Sequence, residues 1–505
     1  MLRRMRVGWF DGPAPRYWLT RFVYLRGLGF IHTVAFAVLL DQMGALIGSE
    51  GLLPASNFLS RIGRSTDFVQ WPTLFWLDAS DPMLHGCAWI GMGLAIALML
   101  GVDNGLLMLG LWAIYLSFCH VGQVFWGYGW EILLLEATFL GAFLCPVRTL
   151  RPMPAAHVPP PPVIWMIRWL VFRVMFGAGM IKIRGDACWT ELTCLAFHYE
   201  TQPIPHPLSW LLHQAPMWFH KAGALFNHFV ELVVPWFVFG PRRLRHFAGA
   251  FLVAFQLLLI LSGNLSFLNW LTLVVCLSCF DDGWLRHLLP QFLSTVADGR
   301  EGRWRASRAQ RVVLSGLGLL VGFLSLDPVA NMLSPRQAMN TSFEPLHLVN
   351  SYGAFGSVGA TRHEVVLQGT LSEHPDDKAT WYDYEFPCKP GNVERRPCLV
   401  TPYHYRLDWQ MWFAALGDYS QQPWILNLSY KLLRADPGAL SLLAYDPFHG
   451  QRPRFVRAEL YRYRFTRLHE DTDAWWQRER IGTYLTPLSL ERESFMKAVR
   501  DHGWR

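Results

Sequence analysis

"VIWMIRWLVFRVMFGAGMIKI" (163–183) is 21 residues of almost unbroken apolar sequence, interrupted only by Arg168, Arg173 and Lys182. A helix rises about 1.5 Å per residue, so this run covers the roughly 30 Å hydrocarbon core of a bilayer. Comparable runs lie near 22–47, 84–101, 104–125, 130–147, 217–239, 246–263, 265–280 and 311–327. Those at 130–147 and 265–280 are short, which makes eight spans as defensible as nine. Composition agrees with this reading. Of the 505 residues 52% are hydrophobic and only 16% charged, against about 25% charged in an ordinary soluble domain. The chain reads as a membrane protein with a soluble part attached.

Basic residues set the orientation. With nine spans and an inside N-terminus, 17 arginines fall on inner segments, among them Arg242, Arg243 and Arg245. The outer loops hold Arg61, Arg64, Lys182, Arg184 and Lys221. The positive-inside rule then places the N-terminus in the cytoplasm and the C-terminus outside. The formal charge of +7 belongs to this topology, and no nucleic-acid partner is expected. The basic first 26 residues lead into a span without an A-x-A-like cleavage site, so the first span reads as a retained signal anchor.

These spans fill residues 1–330, a polytopic helical domain with an external loop at 184–216. "RPMPAAHVPPPPV" (151–163) is a stiff Pro-rich connector, and 281–310 is the longest inner loop, basic and partly helical. Beyond residue 335 the pattern changes. Alternation in "HEVVLQGTL" (363–371), "WYDYEF" (381–386) and "RAELYRYRF" (457–465) predicts strands. Helical spacing appears at 404–416 and 422–434, and a last helix is expected from about 489 to 500. The fold expected is a multi-pass α-helical membrane bundle followed by an extracytoplasmic α+β domain at 335–505.

Cysteines sort by depth. Cys145, Cys276 and Cys279 fall near inner ends of spans, and Cys87 and Cys119 toward outer ends. The C-x-x-C at 276–279 lacks a βαβ setting and reads as small packing groups. Cys188, Cys194, Cys388 and Cys398 lie outside, where disulfides persist. They allow three pairings; the local one, Cys188–Cys194 and Cys388–Cys398, is preferred because each closes a short loop. Asn264, Asn340 and Asn427 sit in N-x-[ST] sequons.

Charged groups inside spans are costly and face the bundle interior. Arg173 sits near mid-depth, with Glu136 and Glu231 as candidate partners in a buried ion pair. His228 and Glu231 are three apart on one helical face, but two ligands make no zinc site, and neither metal nor cofactor is expected. In "CWTELTCLAFHYETQPIPHPLSW" (188–210), Pro203, Pro205 and Pro207 alternate, which predicts an extended, stiff backbone. Trp189, Tyr199, Gln202 and Trp210 of this loop, with Tyr403, Arg406 and Trp409 of the exterior domain, are the candidate partner-binding residues. Tyr403, Trp409, Trp412 and Phe413 exceed what one core stripe holds. Arg395 and Arg396 lie in the Cys-bracketed loop 388–398.

Longer blocks carry a family resemblance. "GYGWE" (127–131), "KIRGDACWTELTCLAFHYETQPIPHPLSW" (182–210), "WFHKAGALFNHFVELVVPWFVFGPRR" (218–243) and "GNLSFLNWLT" (263–272) resemble the lipase maturation factor family. So do "YEFPCKPG" (384–391), "RRPC" (395–398) and "PYHYRLDWQMWFAALGDY" (402–419). The resemblance implies a multi-pass endoplasmic reticulum protein that helps secreted lipases fold and assemble into active dimers, chaperone-like and linked to disulfide quality control. For a bacterial chain of this kind it implies the inner membrane, with the exterior domain in the periplasm. It supplies no catalytic residues; what carries over is the Cys188–Trp210 loop and the Pro387–Trp412 region.

Secretory clients, lipases foremost, and membrane lipids are therefore the expected partners. The rival expectation is an integral-membrane enzyme acting on secretory proteins or lipids. The helical region more distantly resembles that of the vitamin K-dependent carboxylase, and on this reading Lys182, His198, Glu200, His228 and Glu231 converge on one cavity near the outer leaflet.

Overall fold

The computed structural model describes residues 16–147, 149–150, 152, 158–293, 304, 306–376 and 378–504. Part of the Pro-rich connector and part of the basic loop lie outside them, as do Arg3, Arg4 and Arg6. Among the described residues six helices are long and apolar enough to cross a membrane: Trp18–Ile47, Asp81–Met99, Pro161–Arg184, Met217–Phe239, Arg242–Ser262 and Arg308–Leu333. Three shorter ones run between them, Gly105–Val121, Gly129–Ala142 and Leu268–Cys276. The runs at 104–125, 130–147 and 265–280 thus form helices below the ~20 residues that a lone span needs. Burial accounts for this in the second case. Every residue of Gly129–Ala142 except Phe139 is buried, so that helix is walled by protein rather than by lipid.

One end of the bundle is a network of charges. The Asp282 carboxylate accepts from Trp18 N at 2.9 Å and Leu19 N at 2.8 Å, which satisfies the open N–H groups at the start of the first helix. Asp103 pairs with Arg26. Arg242 Nε and Arg245 Nη2 reach Asp281 at 2.7 and 3.2 Å, and Arg168 Nε donates to Ser278 O at 2.9 Å. Arginines read from sequence as topology signals are also fastened here to acids and carbonyls.

The C-terminal part caps the opposite end. Its antiparallel sheet has four strands in the order Tyr382–Asp383, Arg362–Thr370, Phe455–Phe465, Trp476–Leu488. The two central strands pair over their full overlap, with Val365 opposite Leu460. The strand expected at 381–386 shrinks to two residues. Trp476–Leu488 had no forecast, because Arg478, Glu479 and Arg480 on this exposed edge break the apolar alternation. Helices Arg406–Ala414, Trp424–Leu433 and Glu493–Asp501 complete the cap. Leu28, Phe36 and Leu135 of the bundle belong to the same continuous apolar cluster as Val365, Trp424 and Leu428 of the cap. Cap and bundle share one core.

Two sequons are consumed by this docking. Asn264 is 0% exposed and its Nδ2 donates to Cys398 O at 2.8 Å; Asn427 is 1% exposed and donates to Leu52 O at 2.7 Å. Neither can accept a glycan as placed. Asn340 is exposed.

The first helix lies close against Asp81–Met99. A Cβ at Gly29 would stand 2.6 Å from Met99 N, a backbone atom that cannot step aside, whereas a Cβ at Gly93 meets nothing within 4 Å. Small residues are what allow such approach between membrane helices. Gly29→Ala is expected to destabilise by roughly 1–3 kcal/mol, and Gly93→Ala by less than about 0.5 kcal/mol. Thermal melts of the detergent-solubilised variants measure the difference; equal melts would refute the close-approach assignment.

Candidate functional site

The 185–216 segment is built by local chemistry. Cys188 and Cys194 are joined by a disulfide, their Cα atoms 4.8 Å apart; Cys388 and Cys398 are joined likewise at 5.6 Å. Trp189 is buried with Cys194 and Val358 in a small satellite core, and its Nε1 donates to Phe355 O at 2.8 Å. Pro203 and Pro205 keep the chain out of a helix, but Pro207 begins one, Pro207–His213. A first-turn proline loses no hydrogen bond there, and Ser209 Oγ accepts from His206 N at 2.8 Å. The expectation of an extended backbone thus fails at the third proline.

The expected partner-binding residues turn inward. Trp189, Tyr199, Gln202, Arg406 and Trp409 are buried. Gln202 Nε2 donates to Ser209 Oγ at 2.8 Å and Ser262 O at 3.0 Å. Trp210 Nε1 donates to Thr466 O at 3.0 Å, and the Tyr403 hydroxyl to Asp41 at 2.5 Å. As placed, these are internal ties between loop, cap and bundle rather than a recognition surface. The physical reason is the seating of Arg406–Ala414 directly on the bundle. Trp409 meets Trp130 edge-on at 4.9 Å and Tyr128 at 5.8 Å, so aromatics in excess of one core stripe find a second core.

Arg406 is the central tie. It is 0% exposed; Nη1 donates to Glu131 Oε1 at 2.8 Å and Phe125 O at 2.6 Å, and the guanidinium lies 3.9 Å from the Trp126 ring centre. Glu131 also accepts from the Tyr115 hydroxyl and from Trp130 Nε1. Sequence reading missed Glu131, and it missed a second buried set inside the cap. There Glu364 is held by Arg362 Nη2 at 2.6 Å and Lys389 Nζ at 2.7 Å. Asp408 accepts from Cys388 N at 2.7 Å and Lys389 N at 2.8 Å; burial pushes its carboxyl up to about 6 against those bonds. Asp408 lies two residues past Arg406, but nothing in the spacing links either to the 388–398 loop. Arg395 in that loop donates to the carbonyls of Phe386 and Lys389 at 2.7 and 2.6 Å.

Within the bundle Arg173 pairs with Glu136, and Glu231 is not its partner. The helix widens to a π turn over Phe229–Val233 ahead of Pro235, and Glu231 meets Lys182 Nζ at 2.5 Å and Asn227 Nδ2 at 2.8 Å. His228 Nε2 instead donates to Trp189 O at 3.0 Å. His198 stacks edge-on against Phe355 at 4.7 Å, and burial lowers its pKa to about 4, so it is neutral near pH 7. Glu200 accepts from Phe465 N at 2.7 Å and lies 3.6 Å from His213 Nε2; burial raises its pKa. Lys182 and Glu231 therefore pair with each other, while His198, Glu200 and His228 go to separate partners. Among the described residues no group of three or more His, Cys, Asp or Glu is placed to hold a metal.

A cavity of about 370 Å³ lies where the bundle meets the cap. Its walls come from Pro161–Arg184, Arg242–Ser262, Leu268–Cys276 and Arg406–Ala414, with the 339–357 segment closing one side. Aromatic rings dominate, including Tyr128, Trp130, Phe255, Phe355, Trp409 and Phe413. Of the five candidate polar residues, only Glu231 reaches it. A more open cleft of about 490 Å³ adjoins it, sharing Tyr128, Phe413 and Leu416. An enclosure of this kind suits binding of an apolar molecule.

The chain matches the family model of the lipase maturation factor transmembrane domain over residues 19–287 and that of the lipase maturation factor C-terminal domain over 348–487. Lipase maturation factor 1 of Mus musculus is 49% identical over 516 residues, covering 95% of this chain and 90% of the mouse protein. Lipase maturation factor 1 of Homo sapiens is 47% identical over 552 residues, covering 100% and 96%. Lipase maturation factor 2 of Homo sapiens is 30% identical over 609 residues, covering 96% and 85%. No solved structure matches the chain. The chain belongs to the lipase maturation factor family.

Two outcomes follow from the geometry. Arg406→Met leaves Glu131 buried and unpaired, which costs about 3–5 kcal/mol; adding Glu131→Gln removes the stranded charge and recovers part of that loss. Melting of the two variants and the wild type reads this, and a double variant no more stable than Arg406→Met contradicts it. Thiol labelling of the denatured, unreduced protein is expected to spare Cys188, Cys194, Cys388 and Cys398 while tagging Cys87, Cys119, Cys145, Cys276 and Cys279. Labelling of any of the first four before reduction counts against the bonds.

Proposed function

We propose that this member of the lipase maturation factor family is a membrane-embedded, chaperone-like factor that assists secreted lipases to fold and assemble, without itself catalysing a reaction. The observation that carries the reading is the extent of the match. It takes in the helical region and the cap together, and the relatives named lipase maturation factor 1 align over 90% or more of their own length.

The cap (335–505) then faces the endoplasmic reticulum lumen in a eukaryote, or the periplasm in a bacterium, above a helical domain at 1–330. Two features support this orientation. The cap sits on the C-terminal end of the first helix, where Gln42 meets His404 O at 3.0 Å. The arginine-rich network gathers at the other end, which the positive-inside rule places in the cytoplasm. Counting the three short helices as passages gives nine crossings, which carry the N-terminus and the cap to opposite sides. With the loop aromatics turned inward, client contact falls to apolar groups left outside, such as Phe68, Val69 and Leu77 before the second long helix and Leu399 and Leu416 on the cap.

The enzyme reading needed five polar side chains in one pocket, and it is weakened because only Glu231 lines the cavity, bound to Lys182, while the other three are engaged elsewhere. The test is to express a secreted lipase in cells lacking maturation factors, with and without this chain. Secreted lipase activity is expected to rise with the chain present, and the lipase to co-purify with it. Glu200→Gln and His228→Gln are expected to keep that rescue at wild-type level provided their melts are unchanged. Lipase activity independent of the chain, with no association, would sink the proposal. Loss of rescue in both stably folded variants would favour the enzyme.

A further inference from the structure

We infer that the cavity between bundle and cap is a binding site for an uncharged lipid with one long acyl chain, such as a monoacylglycerol. Its volume of about 370 Å³ falls within the range of about 300–1,000 Å³ typical of small-molecule sites. Val174, Met175 and Thr272 in its walls offer methyl groups and a sulfur to a chain terminus. The amides there are largely occupied: Asn269 Nδ2 donates to Gln256 Oε1 at 2.9 Å, and Gln256 Nε2 rests on the Met175 sulfur at 3.6 Å.

Near the cap one donor is left over. Trp409 is 4% exposed, and its Nε1 has no hydrogen-bond partner among the described residues. An unmet buried donor costs about 1–3 kcal/mol, a cost that an ester carbonyl in the cavity removes. Trp409 and Phe413 are four apart on one face of their helix, and Phe413 lines both the cavity and the adjoining cleft. An ester held at Trp409 therefore stands where the two spaces join.

Charge selects the head group. Neither space has a Lys or Arg among its lining residues. The lone carboxylate, Glu231, is neutralised by Lys182 at 2.5 Å. Nothing balances a phosphate or a fatty-acid carboxylate, and an unpaired buried charge is prohibitive. The cleft instead presents Gln421 and Gln422, amides that hydrogen-bond a neutral glycerol, while Gln123 and Gln410 are tied to Leu53 O, Val124 O and the Tyr128 hydroxyl. Chain inside, ester at Trp409 and hydroxyls among the glutamines is the arrangement that satisfies each group.

The test uses the purified full-length protein and three photoactivatable probes of equal chain length: a monoacylglycerol, a fatty acid and a lysophosphatidylcholine. Its readout does not involve lipases, so its failure leaves the maturation reading standing. The monoacylglycerol is expected to label peptides carrying Trp409–Leu416 or the 255–272 walls, competed by unlabelled monoacylglycerol and at least tenfold less by the two charged or zwitterionic lipids. Trp409→Phe keeps an aromatic ring, though a smaller one, and loses the N–H, and should weaken labelling about fivefold, the equivalent of one hydrogen bond of ~1 kcal/mol. Ala178→Phe fills the cavity and should abolish labelling; if it does not fold, Trp409→Phe decides alone. Equal labelling by all three probes, or undiminished labelling in the folded variants, overturns the inference.

Discussion

Arg406 is a guanidinium with no access to water, and its surroundings are arranged to make that tolerable. Its counter-charge, Glu131, begins a helix of the bundle, while Arg406 itself begins a helix of the cap, so the ion pair fixes one over the other. Its Nε and Nη2 have no acceptor among the described residues, and the guanidinium carbon lies 3.9 Å from the Trp126 ring centre, where the ring quadrupole attracts a desolvated cation. Neutral amides repeat the device around it. Gln42 Oε1 accepts from Arg406 N at 2.8 Å and Gln410 Nε2 donates to Val124 O at 2.6 Å. Loops buried at such a seam carry backbone groups that water cannot serve, and side-chain amides serve them instead.

The three charges of the 163–183 helix show the same rule at successive depths. Arg168 is spent on carbonyl and hydroxyl oxygens at the arginine-rich end, Arg173 on Glu136 in the middle, and Lys182 on Glu231 nearer the cap. Each is matched inside the protein, as groups in a hydrocarbon medium must be. The charges hold the walls of the aromatic cavity in place without entering it, Glu231 excepted, and that separation leaves room for an uncharged guest.

Much of this was legible in the sequence, and the part that was not has a common cause. The long apolar runs, the two central strands and the cap helices follow periodicity, which a linear reading captures. Arg173 with Glu136 was legible because intramembrane charges are rare enough to seek each other. Glu231 was misassigned as a second partner for Arg173 because a π turn changes which way its side chain faces, and helical-wheel reasoning assumes 3.6 residues per turn. Trp189, Arg406 and Trp409 looked like surface recognition groups because the sequence cannot say that the cap seats on the bundle. Trp476–Leu488 escaped notice because an exposed edge strand has no buried face to enforce alternation.

The 339–357 segment bears on how the protein is made. Asn350 accepts from Arg173 through its carbonyl at 2.6 Å and donates its N–H to Glu136 at 3.1 Å, and Tyr352 adds its hydroxyl to Glu136 at 2.8 Å. Helices enter a membrane in the order in which the ribosome delivers them, so Arg173 and Glu136 are in place well before residue 350 has been synthesised. Until then the interior of the bundle lacks the groups that complete its central ion pair. A chain terminated ahead of this segment is an unfinished bundle, not a smaller protein without its cap. The chain thus completes its fold late, by bringing its C-terminal third back onto helices already laid down.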